Sequence, residues 1–417
     1  MSLLAGRVSP SAFVERRLDA WLRRMQARSG LAVSLAVELW NGRQVRFDET
    51  PDVTIRLSRP SALACLLSPS LDRFGRAYVE GVIDLEGSPD DIFSTATALA
   101  ASRRGRSHRR QRLARARHSR TQDARDIEYH YDVSNEFYQA WLDREMVYSC
   151  AYFRREDESL DTAQLAKLDH ILTKLRVRPG ERLLDIGCGW GALILRAASR
   201  FGARATGVTL SENQYELARR RIAEAGMEAC CEVRLMDYRE LEGRFDRISS
   251  VGMFEHVGLN NLGAYFRTVH RLLAPGGSVL NHGITSTDPA SGETPFGGGR
   301  FIDRYVFPNG ELPHISLVLT EMARAGLEVH DVENLRRHYA LTLRHWSERF
   351  EAAAPRLREM VGERRYRIWR AYLAGCAYGF ENDWIALHQL LATRSGDDQA
   401  LAAHPLTRDY MYPATSD

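Results

Sequence analysis

The stretch RLLDIGCGWGALILRAASRFGARATGVTLSENQ, residues Arg182 to Gln214, constrains the fold of this chain more than any other. Leu183-Leu184-Asp185-Ile186 reads as a short buried parallel strand. Gly187, Gly189 and Gly191 follow, then an apolar-periodic helix through Phe201 and a second strand from Ala205 to Leu210. This is a β-α-β unit with a glycine turn at its first crossover. Glycines there let the backbone turn sharply and let a ligand approach it, and the helix start behind them offers unpaired N–H groups.

Two ligand classes fit such a turn. Gly187-x-Gly189-x-x-Ala192 satisfies the loose dinucleotide fingerprint. A dinucleotide site, however, wants an acid closing the second strand to hold the ribose, and here that strand closes on Thr209-Leu210-Ser211. The carboxylate stands instead before the loop, at Asp185, placed to meet a cationic ligand. S-adenosylmethionine carries an ammonium and a sulfonium, and the pattern favours it over NAD. A turn without function would leave the clustered glycines unexplained.

The α/β alternation continues downstream. The pattern predicts a helix over 212–225 and a strand over 232–235 that ends in Met236-Asp237-Tyr238. A strand over 245–251 closes on Gly252-Met253-Phe254-Glu255-His256-Val257-Gly258. A helix over 262–273, a turn at Pro275-Gly276-Gly277 and a strand over 278–282 complete the series. Ligands of open parallel sheets sit beyond the carboxyl ends of the strands. Asp185, Asp237, Glu255 and His282 all fall at expected strand ends, which marks a site there.

Upstream, residues 1–101 read as a small α+β domain. A basic amphipathic stretch over 13–28 precedes alternating runs at Val33–Leu39, Val45–Phe47 and Val53–Leu57, with Asn41-Gly42 as a hairpin turn. Ser61–Leu67 reads as a helix and Val82–Leu85 as a strand. The apolar residues serve as this domain's own core or as a lipid-binding face. Residues 102–125 form a linker, and its segment 102–120 holds nine arginines, two histidines and no acid. Such a block is either a solvated linker or an attachment to phosphates. With no aromatic residue inside it and no nucleic-acid-binding motif around it, an anionic membrane surface is the better partner, at about 1 kcal/mol per basic residue.

Residues 126–417 carry the rest. Aromatics at helical spacing (Phe137, Tyr138, Trp141) precede a dense aromatic loop, Tyr148-Ser149-Cys150-Ala151-Tyr152-Phe153. Next comes an apolar helix through Leu175, stopped at Pro179-Gly180. The row Tyr366, Trp369, Tyr372, Leu373, Cys376, Phe380, Trp384, Leu387 reads as a wide helical face, either core or wall of an acyl tunnel. The six cysteines lack metal-ligand spacing, no run of about 18 apolar residues exists, and the N-terminus lacks a signal-peptide layout. The expectation is a cytoplasmic protein with reduced thiols and no metal.

With these strings assembled, the chain resembles the cyclopropane-fatty-acid synthase family, to which the mycolic acid cyclopropane synthases are related. The strings that carry the resemblance are YDVSNEFY, YSCAYF, QLAKLD, LLDIGCGWG, GVTLSENQ, DYRE, SVGMFEHVG, FPNGELP and HYALTL, in family order from about Tyr129 to Arg394. FGRAYVEGVIDLEG (74–87) is a weaker match to the family's accessory domain.

The resemblance implies a class I S-adenosylmethionine-dependent methyltransferase fold, Rossmann-like, behind a small α+β accessory domain. It implies methylene addition across a cis double bond of a phospholipid acyl chain, on the inner membrane surface, by a protein that is often a homodimer. By position, Tyr148 and Ser149 close over the cofactor. Gly187 and Gly189, with Asp185 and Gly191 of the same loop, lie by its methionine part. Thr209, Leu210 and Gln214 lie at the ribose, and Asp237, followed by Tyr238, at the adenine. The family also holds a bicarbonate ion. The positions matching its ligands are Cys150, Glu255, His282, the Ile284 backbone and Tyr339. Taken singly, Cys150 and Tyr339 would read as core and His282 as ambiguous, while His256 reads as structural.

An alkene is a poor nucleophile, so the methyl donor must be held in line with it. Methyl transfer leaves a carbocation on an apolar chain, and ring closure needs a base within reach of the new methyl group. Bicarbonate can both offset the cation and accept the proton. Glu255 beside that anion is repulsive unless the two share a proton or His282 is charged. Loss of a different proton would give a methyl- or methylene-branched chain, and a silent lipid-binding protein is the remaining rival. The segment 285–305 and the tail beyond Arg394 depart from the family pattern. If the arginine linker holds the membrane, binding of the full chain to anionic phosphatidylglycerol vesicles will weaken steadily as salt is raised, in a sedimentation assay. Salt-insensitive binding would exclude the arginines as the contact.

Overall fold

The computed structural model describes residues 18–21, 23–24, 34–46, 49–101, 133–290, 294–307 and 310–412. Most of the expected 13–28 helix, the linker over 102–125, and Tyr131-Asp132 of the YDVSNEFY string lie outside them. The chain forms two compact units, one of Met1–Leu113 with Pro295–Phe301, the other of Ala114–Thr294 with Ile302–Asp417.

The first unit contains a four-stranded sheet in the order β2-β1-β3-β4, formed by β1 (Leu35–Glu38), β2 (Gln44–Arg46), β3 (Val53–Leu57) and β4 (Ile83–Glu86). β1 and β2 form the hairpin expected around Asn41-Gly42, where Gly42 adopts φ +80°. Helices Leu63–Leu67, Leu71–Val79 and Pro89–Ala101 complete it. The excursion at 295–301, within the segment that departs from the family pattern, is part of this unit. Phe301 is buried there against Gly75, where a Cβ would come within 2.5 Å of the ring.

The second unit is built on a seven-stranded sheet in the order β10-β11-β9-β8-β5-β6-β7. Its strands are β5 (Arg182–Ile186), β6 (Arg204–Thr209), β7 (Cys231–Leu235), β8 (Phe245–Val251), β9 (Leu273–Ser286), β10 (Leu327–Asn334) and β11 (Ile385–Arg394). β5 to β9 run parallel, and β10 and β11 are antiparallel. Apolar side chains fill both faces of the sheet, as parallel strands covered by helices require. This is the expected doubly wound α/β architecture.

Three local expectations need correction. Pro275-Gly276-Gly277 is not a turn between elements but a bulge inside β9. Phe245 pairs with Leu273 and Arg247 with Ser278, so the residues between loop out, with Gly276 at φ +72° and its N–H donated to Asp397 Oδ2 at 2.7 Å. His282 therefore lies within β9, paired across to Val251 and Gln389, rather than at a strand end. The apolar helical face is also shorter than expected. Helix Ala354–Glu381 ends before Trp384, and Leu387 belongs to β11, because the chain reverses at Asp383 in the left-handed region (φ +58°). The tail that matched nothing adds Met411 to the core. No helix among the described residues is long and apolar enough to cross a membrane.

Candidate functional site

The carboxyl end of β5 opens onto a cavity. Gly187, Gly189 and Gly191 all take positive φ, at +79°, +53° and +85°, which L side chains rarely adopt. The N–H groups of Gly187 and Cys188 both reach Val208 O at 3.0 Å, which pins the turn to β6. A Cβ on Gly187 would press Met253 Cγ at 3.0 Å, whereas one on Gly189 would meet nothing within 4 Å. The turn is therefore tight underneath and open towards the cavity, the form a ligand cradle takes.

Tyr148, Ser149, Asp185, Gly187, Gly189, Thr209, Leu210, Gln214 and Tyr238 line this one cavity. Asp185 accepts from Ser249 Oγ at 2.7 Å, and burial pushes its carboxyl up to about 6 against the nearby Lys167 charge. Thr209 Oγ1 donates to Gln214 Oε1 at 2.8 Å, tying the end of β6 to helix Glu212–Glu224. Gly191 instead starts helix Ala192–Phe201 and packs on Ala218. Asp237 is also off the wall. Arg239 holds both its oxygens, from Nε at 2.9 and 3.0 Å and from Nη2 at 2.6 Å, and it is Arg239 that faces the cavity.

Cys150, Glu255, His282 and Tyr339 are buried and none of them lines that cavity. Glu255 Oε1 accepts the Ile284 N–H at 2.6 Å, while Oε2 is buried without a partner. The Ile284 amide, expected at the ion, is thus committed to Glu255. Burial pushes Glu255 up to about 7 and drives His282 well below its ordinary value, the latter helped by Lys167 and Lys174. Gln389, directly across the strand pair, sits with Nε2 3.2 Å from His282 Nδ1, and His282 Nε2 is buried without a partner. Gln389 donating to Nδ1 puts the imidazole proton on Nε2. The Tyr339 phenol is raised by burial first, then by Tyr372, Cys150 and Glu255. Burial likewise raises the Cys150 thiol, whose Sγ lies 3.2 Å from Ala151 O.

Sequence reasoning missed several residues. His256, read as structural, stands on the cavity wall with its ring 5.4 Å from Phe307. Lys167 and Arg239 line the cavity, although neither was given a role when QLAKLD and DYRE were read. Gln389 carried no signal, because β11 was not expected. A basic residue within an apolar helical face, such as Lys167, was the one clue available.

A parallel sheet with a glycine turn at β5, a buried carboxylate before it and a Thr–Gln clasp after β6 defines an S-adenosylmethionine-dependent methyltransferase. The family model described as mycolic acid cyclopropane synthetase matches residues 118–390, and one for a domain of unknown function matches 26–107. A probable fatty acid methyltransferase of Pseudomonas putida is 45% identical over 390 residues, 93% of this chain and 98% of that one. The cyclopropane-fatty-acyl-phospholipid synthase of Escherichia coli is 34% identical over 366 residues, 86% and 93% of the two chains. Mycolic acid cyclopropane synthase CmaA1, solved with SAH and CTAB, superposes with a TM-score of 0.62 at 36% identity, over 64% of this chain and 97% of that one. The chain belongs to the mycolic acid cyclopropane synthetase family.

The buried carboxyl of Asp185 has a stability consequence. Its folded value, about 6, lies above its ordinary 3.8. Its contribution to stability is therefore fully present below 3.8 and lost as pH rises through about 6, after which the ionised group is a burden. Asp185→Asn removes that burden, so the ligand-free variant should gain on the order of 1–3 kcal/mol over the parent at pH 8 and roughly half as much at pH 5. Denaturant unfolding at the two pH values measures it, and an equal effect at both would contradict the assignment.

Proposed function

We propose that this enzyme adds a methylene from S-adenosylmethionine across the cis double bond of a phospholipid acyl chain, giving a cyclopropane, with bicarbonate as the base. The observation that carries this reading is the pair of buried, unpartnered polar atoms, Glu255 Oε2 and His282 Nε2. Glu255 accepts the N–H of Ile284, two residues along β9 from His282, and its charge is felt at Tyr339, as is that of Cys150. Buried polar groups are normally satisfied, and two hydrogen-bond donors on neutral groups suit a small oxyanion.

Asp185 meets the cationic end of the cofactor, and the open face of Gly189 lets its backbone approach. Thr209, Leu210 and Gln214 take the ribose. Tyr148, whose hydroxyl lies 3.2 Å from that of Tyr372, and Ser149 cover it. Asp237 reaches the adenine once Arg239 shares it. S-adenosylmethionine held there would supply an electrophilic methyl group for the alkene, with S-adenosylhomocysteine as the leaving group and the positive charge passing to the chain. Glu255, His282 and Tyr339 would hold the bicarbonate, which would supply a base for a proton of the added methyl carbon, the C–H electrons closing the ring. Glu255 is half protonated near pH 7 and His282 is neutral, so the carboxyl shares its proton with the anion instead of repelling it, and Nε2–H of His282 orients it. The apolar face of helix Ala354–Glu381 lines the acyl path.

The name of the Pseudomonas putida relative favours a second reading, in which the cation loses another proton and a branched chain results. Expression in a bacterium lacking its own cyclopropane synthase decides between them, with fatty acid methyl esters analysed by mass spectrometry after double-bond derivatisation. A one-carbon gain that resists derivatisation is the expected result. A gain that stays reactive indicates a methylene branch, and no gain would sink the enzyme reading.

Glu255→Gln keeps an acceptor for Ile284 N–H but removes the acid proton. Product formation should fall on the order of a hundredfold, within the range of general acid–base contributions, while calorimetric affinity for S-adenosylhomocysteine stays near that of the parent. A proportional loss of affinity would refute the role.

A further inference from the structure

Lys167 is 2% exposed and lies on the wall of the cofactor cavity, on helix Leu160–Lys174. The helix buries a second lysine, and the two are held differently. Lys174 is ion-paired with Asp331 at 2.7 Å and Glu333 at 2.8 Å. Lys167 instead donates its Nζ to a hydroxyl of the cavity wall, Ser149 Oγ, at 2.9 Å. One turn before it, Gln164 donates to Ser149 O at 2.8 Å, so a single helix grips Ser149 by backbone and side chain. Burial lowers Lys167 to about 8, against the raising effect of Asp143, Cys150 and Asp185, so it is charged at neutral pH. A protonated amine only donates, whereas a serine hydroxyl has one hydrogen to give and lone pairs that accept. Ser149 therefore accepts from Lys167 and must give its hydrogen elsewhere. None of the described residues takes it, and Ser149 lines the cavity.

We propose that Lys167 is a positioning residue for the cofactor: by occupying the acceptor side of Ser149 Oγ, it aims that hydroxyl's hydrogen into the cavity, at the carboxylate of the amino-acid end of S-adenosylmethionine. This rests on the cofactor reading alone, not on bicarbonate or on the ring. Asp185, on the same cavity wall, suits the ammonium of the cofactor. Ammonium and carboxylate share one carbon of that ligand, so the carboxylate must settle near Asp185 as well. Burial raises Asp143 and Asp185 to about 6, so both are largely anionic at neutral pH and would repel it. Lys167 stands in the field of both acids and offsets them at the hydroxyl itself, 2.9 Å away. A neutral donor could hold Ser149, but only a cation also balances the two acids. A hydroxyl polarised by an ammonium is in turn a stronger donor to an anion, since hydrogen bonds in a chain reinforce one another. Asp143 has its own part in the arrangement, because it accepts the N–H groups of Val147 and Glu145 at 2.8 and 2.9 Å and so fixes the chain that leads into Ser149.

The test is calorimetric binding of three ligands to the full chain at neutral pH. They are S-adenosylhomocysteine, its decarboxylated form, which keeps the amine, and methylthioadenosine, which lacks the amino-acid part. Lys167→Met should weaken S-adenosylhomocysteine roughly tenfold or more, the range for a hydrogen bond to a charged group. It should bind the other two no more weakly than the parent does. Ser149→Ala should show the same selectivity, and the double variant should lose less than the product of the two single losses, because the residues act through one contact. An unchanged affinity for S-adenosylhomocysteine in Lys167→Met overturns the proposal. So does an equal loss for all three ligands, which would make the lysine a support for the wall in general, and so do independent losses in the double variant. If the methionine variant does not fold, Ser149→Ala reads the same contact: a loss confined to S-adenosylhomocysteine supports the proposal, and an equal loss or none overturns it. A parent that binds none of the three removes the cofactor reading itself, and this proposal with it.

Discussion

The loop Val147–Phe153 belongs to no helix or sheet, yet it carries Tyr148, Ser149 and Cys150. Its buried backbone groups must find partners elsewhere, and the site depends on how they do so. Asp143 accepts Val147 N–H at 2.8 Å, and Gln164 donates to Val147 O and Ser149 O at 3.3 and 2.8 Å. Thr342 Oγ1 takes Ala151 N–H at 3.0 Å, and His338 Nδ1 takes Phe153 N–H at 3.0 Å. Two helices, Leu160–Lys174 and Arg336–Ala352, therefore hold a loop that would otherwise be free. Aromatic packing does the rest, with Tyr148 5.3 Å from Trp346 and 5.5 Å from Trp141. The HYALTL string matters partly for this reason: besides Tyr339 it supplies His338 and Thr342, which clamp the loop.

Much of the parallel half was legible because its signals are local. A glycine turn after an apolar run, a serine that caps helix Glu212–Glu224 and alternating strand and helix patterns each declare themselves within a few residues. The antiparallel half was not legible. β11, IALHQLLATR, is buried along nearly its whole length and lacks the alternation that marks a half-buried strand. Missing it hid Gln389 and misplaced His282, whose position depends on pairing across β9 and β11. The bulge at Gly276 was hidden for a similar reason: Pro-Gly-Gly reads as a turn, and only Asp397, far along the chain, makes it a kink within one strand.

The candidate site shows the same division. Asp185 was found from its place before the glycines. The inner cluster came from family resemblance, because a cysteine, a strand histidine and a helical tyrosine have no local pattern that sets them apart from core. Burial gives them their chemistry, and burial is a property of the fold. It raises Glu255 into the physiological range and empties His282 of charge, neither of which a residue type announces.

One helix links the two halves of the site. Lys167 faces the cofactor cavity, while one turn either side of it Gln164 and His170 are directed to the aromatic loop and to Glu333. His170 stacks on Tyr152 at 4.2 Å, and His338 stacks on the same tyrosine at 4.8 Å. A shift of this helix would therefore move the aromatic loop and the Lys167 wall of the cavity together. The paired carboxylates Asp331 and Glu333 on β10 hold Lys174, and Arg408 and Tyr412 of the tail bind those same carboxylates, Arg408 Nε to Asp331 at 2.7 Å and the Tyr412 hydroxyl to Glu333 at 3.3 Å. The antiparallel strands and the unplaced tail thus do for helix Leu160–Lys174 what that helix does for the loop: they fix it from behind.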